Sequence, residues 1–195
     1  MLFRPVLRRR PATYADIEAL PAHMVGELIA GELIANPRPA PAHTQSASAI
    51  GMLVGFPFHF GRGGGPGGWW IEDEPELHTT IDGTKDVLVP DLAGWRRERM
   101  PHLPATTWFG VVPDWVCEVL SPSTEDIDRT LKLPLYARMN VRHIWLVDPI
   151  VNKVEIYRRL EEPAWQLVAT HVGNVTVHAE PFDAVELDFS LLWER

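Results

Sequence analysis

A carboxylate set in the middle of an apolar run is the feature that most constrains this chain. The run is Trp115 to Leu120 (WVCEVL), bounded by Pro113 and Pro122, and the acid is Glu118. A segment this short, and rich in Val, Trp and Cys, reads as a buried strand. Side chains alternate across a strand, so Val116, Glu118 and Leu120 share one face, with Trp115, Cys117 and Val119 on the other. A buried carboxylate is costly unless it is paired, hydrogen-bonded or bound to a metal. Whatever this chain folds into must bring a partner to Glu118.

The residues that follow supply candidates. Ser121-Pro122-Ser123-Thr124 ends the strand, and Ser123 or Thr124 can cap a helix with Glu125, Asp126 and Asp128 in its first turn. Ile127, Leu131 and Leu135 form an apolar edge that can dock on a sheet. Asp128, Lys132 and Tyr136 form a polar stripe beside it, with Lys132 poised near the end of the Glu118 strand. Pro134 is expected to kink or shorten this helix, because it lacks a donor and crowds the preceding turn. A second strand, His143 to Val147, stops at Asp148-Pro149, so the block reads as a strand–helix–strand crossover.

Composition narrows the class. A chain of 195 residues is long enough for one domain with a real core, and 46% apolar with 23% charged residues is ordinary for a globular protein. Residues 1–12 read as a tail with arginines but no apolar signal region, and residues 13–195 as a single domain. No apolar run approaches the roughly 18 residues of a membrane helix. One cysteine, Cys117, forms no intramolecular disulfide, reads as a small buried hydrophobe and fits a reducing cytoplasm. The net charge of −8 argues against a surface coated with phosphate-binding cations, although an acidic metal site can sit beside a small basic patch.

Along the chain, Thr13 to Leu20 reads as a short helix capped by Thr13. The near-duplication GELIAGELIA, from Gly26, suits a hairpin turning at Gly31, with Glu32 a solvated edge charge and Glu27 open to other uses. A proline-rich bend from Pro37 to Pro41 precedes a helix over His43 to Phe56, where His43 reads more readily as a cap or surface residue than as a ligand. Gly61 to Gly68 is a flexible loop lacking the lysine and hydroxyl of a P-loop. Trp69 to Ile71 enters a strand, and Ile81 to Thr84 (IDGT) makes a turn. Val87 to Trp95 (VLVPDLAGW) is strand-like, with Pro90 marking a bulge or sheet edge and Asp91 interrupting apolar residues as Glu118 does. Arg96, Arg97 and Arg99 are a solvated run and the best source of a phosphate-facing patch. Past Pro149, four alternating segments (154–159, 165–170, 175–180 and 185–190) read as a β-meander packed on the crossover unit.

Two strand acids and a lysine on the next helix form a specific chemical set. Magnesium is held by carboxylate oxygens, and a bound magnesium acidifies water and stabilises charge on a phosphoryl oxygen. An ammonium nearby can position the attacking water or stabilise the transition state. Asp91, Glu118 and Lys132 therefore suit phosphodiester hydrolysis.

At these residues the chain resembles the PD-(D/E)XK nuclease superfamily, and more closely the large bacterial family of restriction-endonuclease-like proteins long catalogued as a domain of unknown function. The resemblance is carried by Pro90-Asp91, by EVLSPST from Glu118 to Thr124, by the stripe Asp128, Lys132 and Tyr136, and by Val141 to Pro149 with its WLVDP ending. GELIAGEL with the proline-rich bend and His43 resembles the same family's N-terminal signature. The resemblance implies an α/β (α+β) fold, with a restriction-endonuclease-like core whose mixed central sheet is flanked by helices. It implies Asp91 and Glu118 as ligands of Mg2+ (or Mn2+) and Lys132 as the catalytic lysine, displaced to the helix because Leu120 occupies the usual position. Glu27, His43 and Tyr136 are possible further members of the site. The implied partners are DNA and a second copy of the chain, a homodimer letting two sites address both strands. The alternative is a nucleic-acid-binding or structural module with an idle site. A cupin-type binding protein is disfavoured, since no HxH, HExxH or CxxC pattern is present.

Overall fold

The computed structural model describes residues 10–194, so residues 1–9 of the expected tail and Arg195 lie outside the described residues. Six strands form the central sheet, in the order β10-β9-β8-β7-β6-β3. They are β3 (Trp69–Asp73), β6 (Leu92–Arg96), β7 (Trp115–Val119), β8 (His143–Asp148), β9 (Lys153–Arg159) and β10 (Trp165–Val172). Only β7 and β8 pair in parallel, and the helical segment Glu125–Met139 connects them, as a parallel pair requires. The sheet is therefore mixed, and the crossover read from the sequence is its centre.

That connection is helical throughout but not uniform. It runs as α3 (Glu125–Ile127), a wide π turn (Asp128–Lys132) and α4 (Leu133–Met139). The Leu133 N–H donates to the Asp128 carbonyl, five residues back. Pro134 follows directly: it offers no N–H, and its ring would strike the Thr130 carbonyl in a regular helix. The expected kink is resolved here by widening one turn. Asn140, in the left-handed conformation with φ 70°, ends the helix.

Four more strands make a small antiparallel sheet, β2-β1-β5-β4: β1 (Met24–Ile29), β2 (Glu32–Pro37), β4 (Leu77–Ile81) and β5 (Thr84–Leu88). Its two hairpins turn at Ala30-Gly31 and Asp82-Gly83, where both central residues have positive φ, as the twist of a two-residue loop demands. The strand expected over Val87 to Trp95 is two strands. The chain leaves the small sheet after Leu88 and joins the central one at Leu92, so Val89-Pro90-Asp91 is a switch between sheets. Pro90, which cannot donate to a ladder, sits in that gap.

Both faces of the central sheet are covered. On one, Trp115, Cys117 and Val119 pack with Trp145, Trp69 and Phe182, under α2 (Pro41–Val54) and the C-terminal residues. On the other, Val116 and Leu120 pack with Leu135, Tyr136 and Trp95, under α4 and the small sheet. The alternation expected for β7 is thus the division between the two cores. The helix expected over His43 to Phe56 starts earlier, since Pro41 suits a first turn, and continues as a π turn (Gly55–His59) containing Pro57.

The C-terminal meander is continuous only in its first half. β9 and β10 are strands, but they extend the central sheet. The later segments form only a two-residue ladder, β11 (Thr176–Val177) with β12 (Leu187–Asp188), then a 3-10 turn (Phe189–Leu192). Alternation there serves to bury Ala179, Phe182, Leu187, Phe189 and Leu192 against the sheet and α2, without continuous pairing.

His143, at the start of β8, yields a pH prediction. Burial, with Arg96 and Arg158 nearby, pushes its imidazole from the ordinary 6.5 down to about 4. The folded state keeps the ring neutral where the unfolded chain would protonate it. Its contribution is complete above pH 6.5 and is lost as pH falls to about 4, up to about 3 kcal/mol. Urea midpoints for wild type and His143→Gln should therefore converge, or cross, as pH is lowered through this window. A stability difference independent of pH would contradict the assignment.

Candidate active site

The register of the central sheet assembles the site. β6 pairs β7 with Leu92 opposite Cys117 and Ala93 opposite Val116, so one further step sets Asp91 across from Glu118 on the same face. The ladder has ended there, and the Asp91 carboxylate takes over its role: Oδ2 accepts the Val119 N–H at 2.7 Å. Glu27, on β1, likewise accepts the Val89 N–H at 2.8 Å. Two carboxylates therefore tie down the switch between the sheets, and both are held at fixed positions beside Glu118.

Lys132 enters this nest from the helix. Its Nζ lies 2.8 Å from Glu118 Oε1, 3.2 Å from Glu27 Oε1 and 3.5 Å from Asp128 Oδ1. The Tyr136 hydroxyl donates to the same Glu118 Oε1 at 2.6 Å. His43, at the start of α2, reaches Asp91 Oδ1 with Nε2 at 3.3 Å, while its Nδ1 is buried without a hydrogen-bond partner. All these residues except Tyr136 line one cavity of about 340 Å³. The structure thus brings together every sequence-predicted site residue: Asp91, Glu118 and Lys132, with Glu27, His43 and Tyr136.

The nest holds four carboxylates: Glu27, Glu118 and Asp128 around the Lys132 ammonium, and Asp91 beside His43. Burial pushes the Glu118 carboxyl well above its usual range; Lys132 opposes this, and the other three acids reinforce it. Burial alone would lower Lys132, but Glu118 and Glu27 outweigh it and keep the ammonium protonated well beyond the usual lysine range. Asp128 is raised by burial and only partly relieved by Lys132. His43 is pulled down by burial, but Asp91, with smaller help from Val119 and Asp128, gives a net rise. The site gathers carboxylates in excess of cations, with all but Asp91 and His43 nearly inaccessible.

Several local expectations are overturned. The polar stripe faces the sheet along its whole length, with Asp128, Lys132 and Tyr136 buried, whereas of the expected apolar edge only Leu135 is buried and Leu131 is 43% exposed. The widened turn and the demand of Glu118 for a cation favour this rotation over burying one leucine. Neither Ser123 nor Thr124 caps the helix with its side chain; Ser121 instead hydrogen-bonds Ser123 at 3.0 Å and Thr124 at 2.9 Å. The arginine run is not a patch for this site. Arg96 lies five strand positions, about 16 Å, from Asp91 and on the opposite face of β6. Arg97 stacks over Trp70, and Arg99 pairs with the buried Asp114 at 2.8 Å. Sequence reasoning missed Asp128 as a buried member, and Arg38 and Glu74 at the cavity mouth.

The family model described as "Uma2: Putative restriction endonuclease" matches residues 12–190. The chain belongs to the Uma2 family. Membership supports nuclease function in general. A solved structure described as a putative nuclease of DUF820 from Anabaena variabilis ATCC 29413 is similar, with a TM-score of 0.70 at 22% identity over 94% of this chain and 98% of that one. At that identity the likeness speaks for the fold. A search of curated proteins finds no significant match.

Whether this Uma2 chain's residues fit the divalent ion expected of a restriction-endonuclease-like family depends on its donors. Among the described residues, no three His, Cys, Asp or Glu side chains are gathered as a ready-made metal cage. The chemistry nevertheless fits a hard cation: the donors are carboxylate oxygens in surplus. The nearest contacts of both Lys132 and Tyr136 with Glu118 fall on Oε1.

This geometry alters what replacing Lys132 should do. Removing an exposed i,i+4 partner would cost a few tenths of a kcal/mol. Removing the counter-charge of a buried nest should cost about 3–5 kcal/mol. Denaturation in chelator should show Lys132→Met destabilised on that scale, and Tyr136→Phe by about 1.5 kcal/mol for the bond to Glu118. A loss below about 0.5 kcal/mol for Lys132→Met, the surface range, would contradict the arrangement.

Proposed function

We propose that this protein is a divalent-metal-dependent endodeoxyribonuclease, with Asp91 and Glu118 as metal ligands and Lys132 as the catalytic cation. The observation that carries this reading is the convergence of Asp91, Glu118 and Lys132 on one cavity with carboxylate in excess. A magnesium or manganese ion there would acidify a water and neutralise charge on the phosphoryl oxygens. The chain's own residues supply the rest. Lys132 stays protonated beside Glu118, placing a fixed positive charge where an attacking water and a phosphoryl oxygen would meet. Tyr136 orients Glu118 through its hydroxyl, and His43 holds Asp91 from the side opposite its backbone bond. Glu27 and Asp128 keep Lys132 charged and aimed.

The enclosing walls favour a backbone phosphate over a base as the reacting group, since the lining offers charge and hydroxyls, and its one aromatic ring, His43, is turned onto Asp91. Acting on DNA from the cytoplasm accords with the single buried thiol, Cys117. A homodimer would present two such sites to one duplex. An apolar groove lined by Met52, Phe56 and Leu191, with Met52 67% and Phe56 58% exposed, supports such pairing. Sedimentation should show a dimer at micromolar concentration, and a monomer would count against double-strand cleavage by a preformed pair.

The activity test uses supercoiled plasmid with manganese, magnesium or chelator. Nicking or linearisation is expected with metal alone, and Asp91→Asn, Glu118→Gln and Lys132→Met should each slow it by about a hundredfold or more. Duplex binding without cleavage in either metal would instead favour an idle binding module.

A further inference from the structure

We propose that Arg38 grips a DNA phosphate flanking the scissile one, and that Glu74 holds Arg38 in reserve until substrate arrives. This rests on the nuclease reading above and assigns a residue to its substrate side. The cavity lining carries five carboxylates, Glu27, Glu74, Asp91, Glu118 and Asp128, a poor welcome for a polyanion. Its cations are nearly all engaged. Lys132 is buried among three of those acids, and His43 is turned onto Asp91. Arg38 is the lining residue with positive charge to spare.

Arg38 sits where a recognition cation would be useful. It lies in the Pro37-Arg38-Pro39 bend between β2 and α2, and prolines on both sides narrow its backbone freedom. Its side chain is 62% exposed and makes one contact, Nη1 to Glu74 Oε2 at 3.1 Å. A guanidinium has five N–H donors, so most of its bonding capacity is unused. Glu74 is itself tied to the site: its N–H donates to the Asp91 carbonyl at 3.0 Å, and it adopts φ 43°, which is costly for a residue with a Cβ. An exposed pair of this kind is weak. A phosphate offers the same fork a bidentate partner, so the exchange is favourable and leaves Glu74 in water.

The test is fluorescence anisotropy with a duplex of about 20 base pairs in calcium, across a range of salt, on wild type, Arg38→Gln, Arg38→Lys and Glu74→Gln. Arg38→Gln should weaken binding about fivefold to tenfold and reduce the slope of log K against log salt by about 0.9, one phosphate contact. Arg38→Lys should keep the slope with weaker binding, and Glu74→Gln should tighten binding severalfold. Manganese affinity by calorimetry should be the same in all four, showing an intact site. If wild type binds duplex and Arg38→Gln matches it in affinity and slope, or Glu74→Gln weakens binding, the assignment to Arg38 is overturned while the nuclease reading stands. If wild type binds no duplex under any of these conditions, the nuclease reading itself fails and this proposal with it.

Discussion

The contact between Glu118 and Lys132 is the interaction on which the rest of this structure depends. Glu118 occupies the most buried strand of the molecule, where an unpartnered carboxylate would be prohibitive. Satisfying it requires the helix between β7 and β8 to present a lysine inward, and that in turn requires the turn around Asp128–Lys132 to be wide. Pro134, which looks like an obstacle to a regular helix, is the residue that makes a wide turn natural here. The same contact draws Glu27 and Asp128 inward, so an arrangement begun by one buried acid ends as a nest with surplus negative charge.

That surplus ties stability to function. Replacing a buried ion pair with apolar residues often stabilises a protein, so a nest of five charges is poor evidence for stability alone. Two of its acids do earn a structural place by accepting the Val89 and Val119 amides at the switch between sheets. Glu118 and Asp128 have no such duty toward the backbone. Their burial, with carboxyls pushed upward in pKa, is the cost that the proposed metal-dependent function accounts for.

Much of this was legible in the sequence because period and chemistry agreed. The alternation of β7, the GELIA hairpin and the His143–Asp148 strand each carried a local signal that tertiary context did not oppose. Glu118 was visible because a charge in an apolar run has few explanations. What was not legible depended on global geometry. Val87 to Trp95 reads as one strand, since nothing local says that its halves belong to different sheets. The C-terminal alternation reads as pairing, although its side chains are used to fill a core. Leu131 was expected inward because hydrophobicity was weighed before the demand of a buried carboxylate on the preceding strand. The arginine run misled for a related reason: its closeness to Asp91 in sequence is undone by strand direction and by a change of face.

The central claim is that the nest formed by Asp91 and Glu118 is a metal site completed by Lys132. Anomalous diffraction from crystals soaked in manganese tests it most directly. The account predicts a peak within coordination distance of carboxylate oxygens from both Asp91 and Glu118, with Lys132 still in contact with the nest. No peak at saturating manganese, or one bound elsewhere while this cavity keeps only its protein contacts, would contradict it.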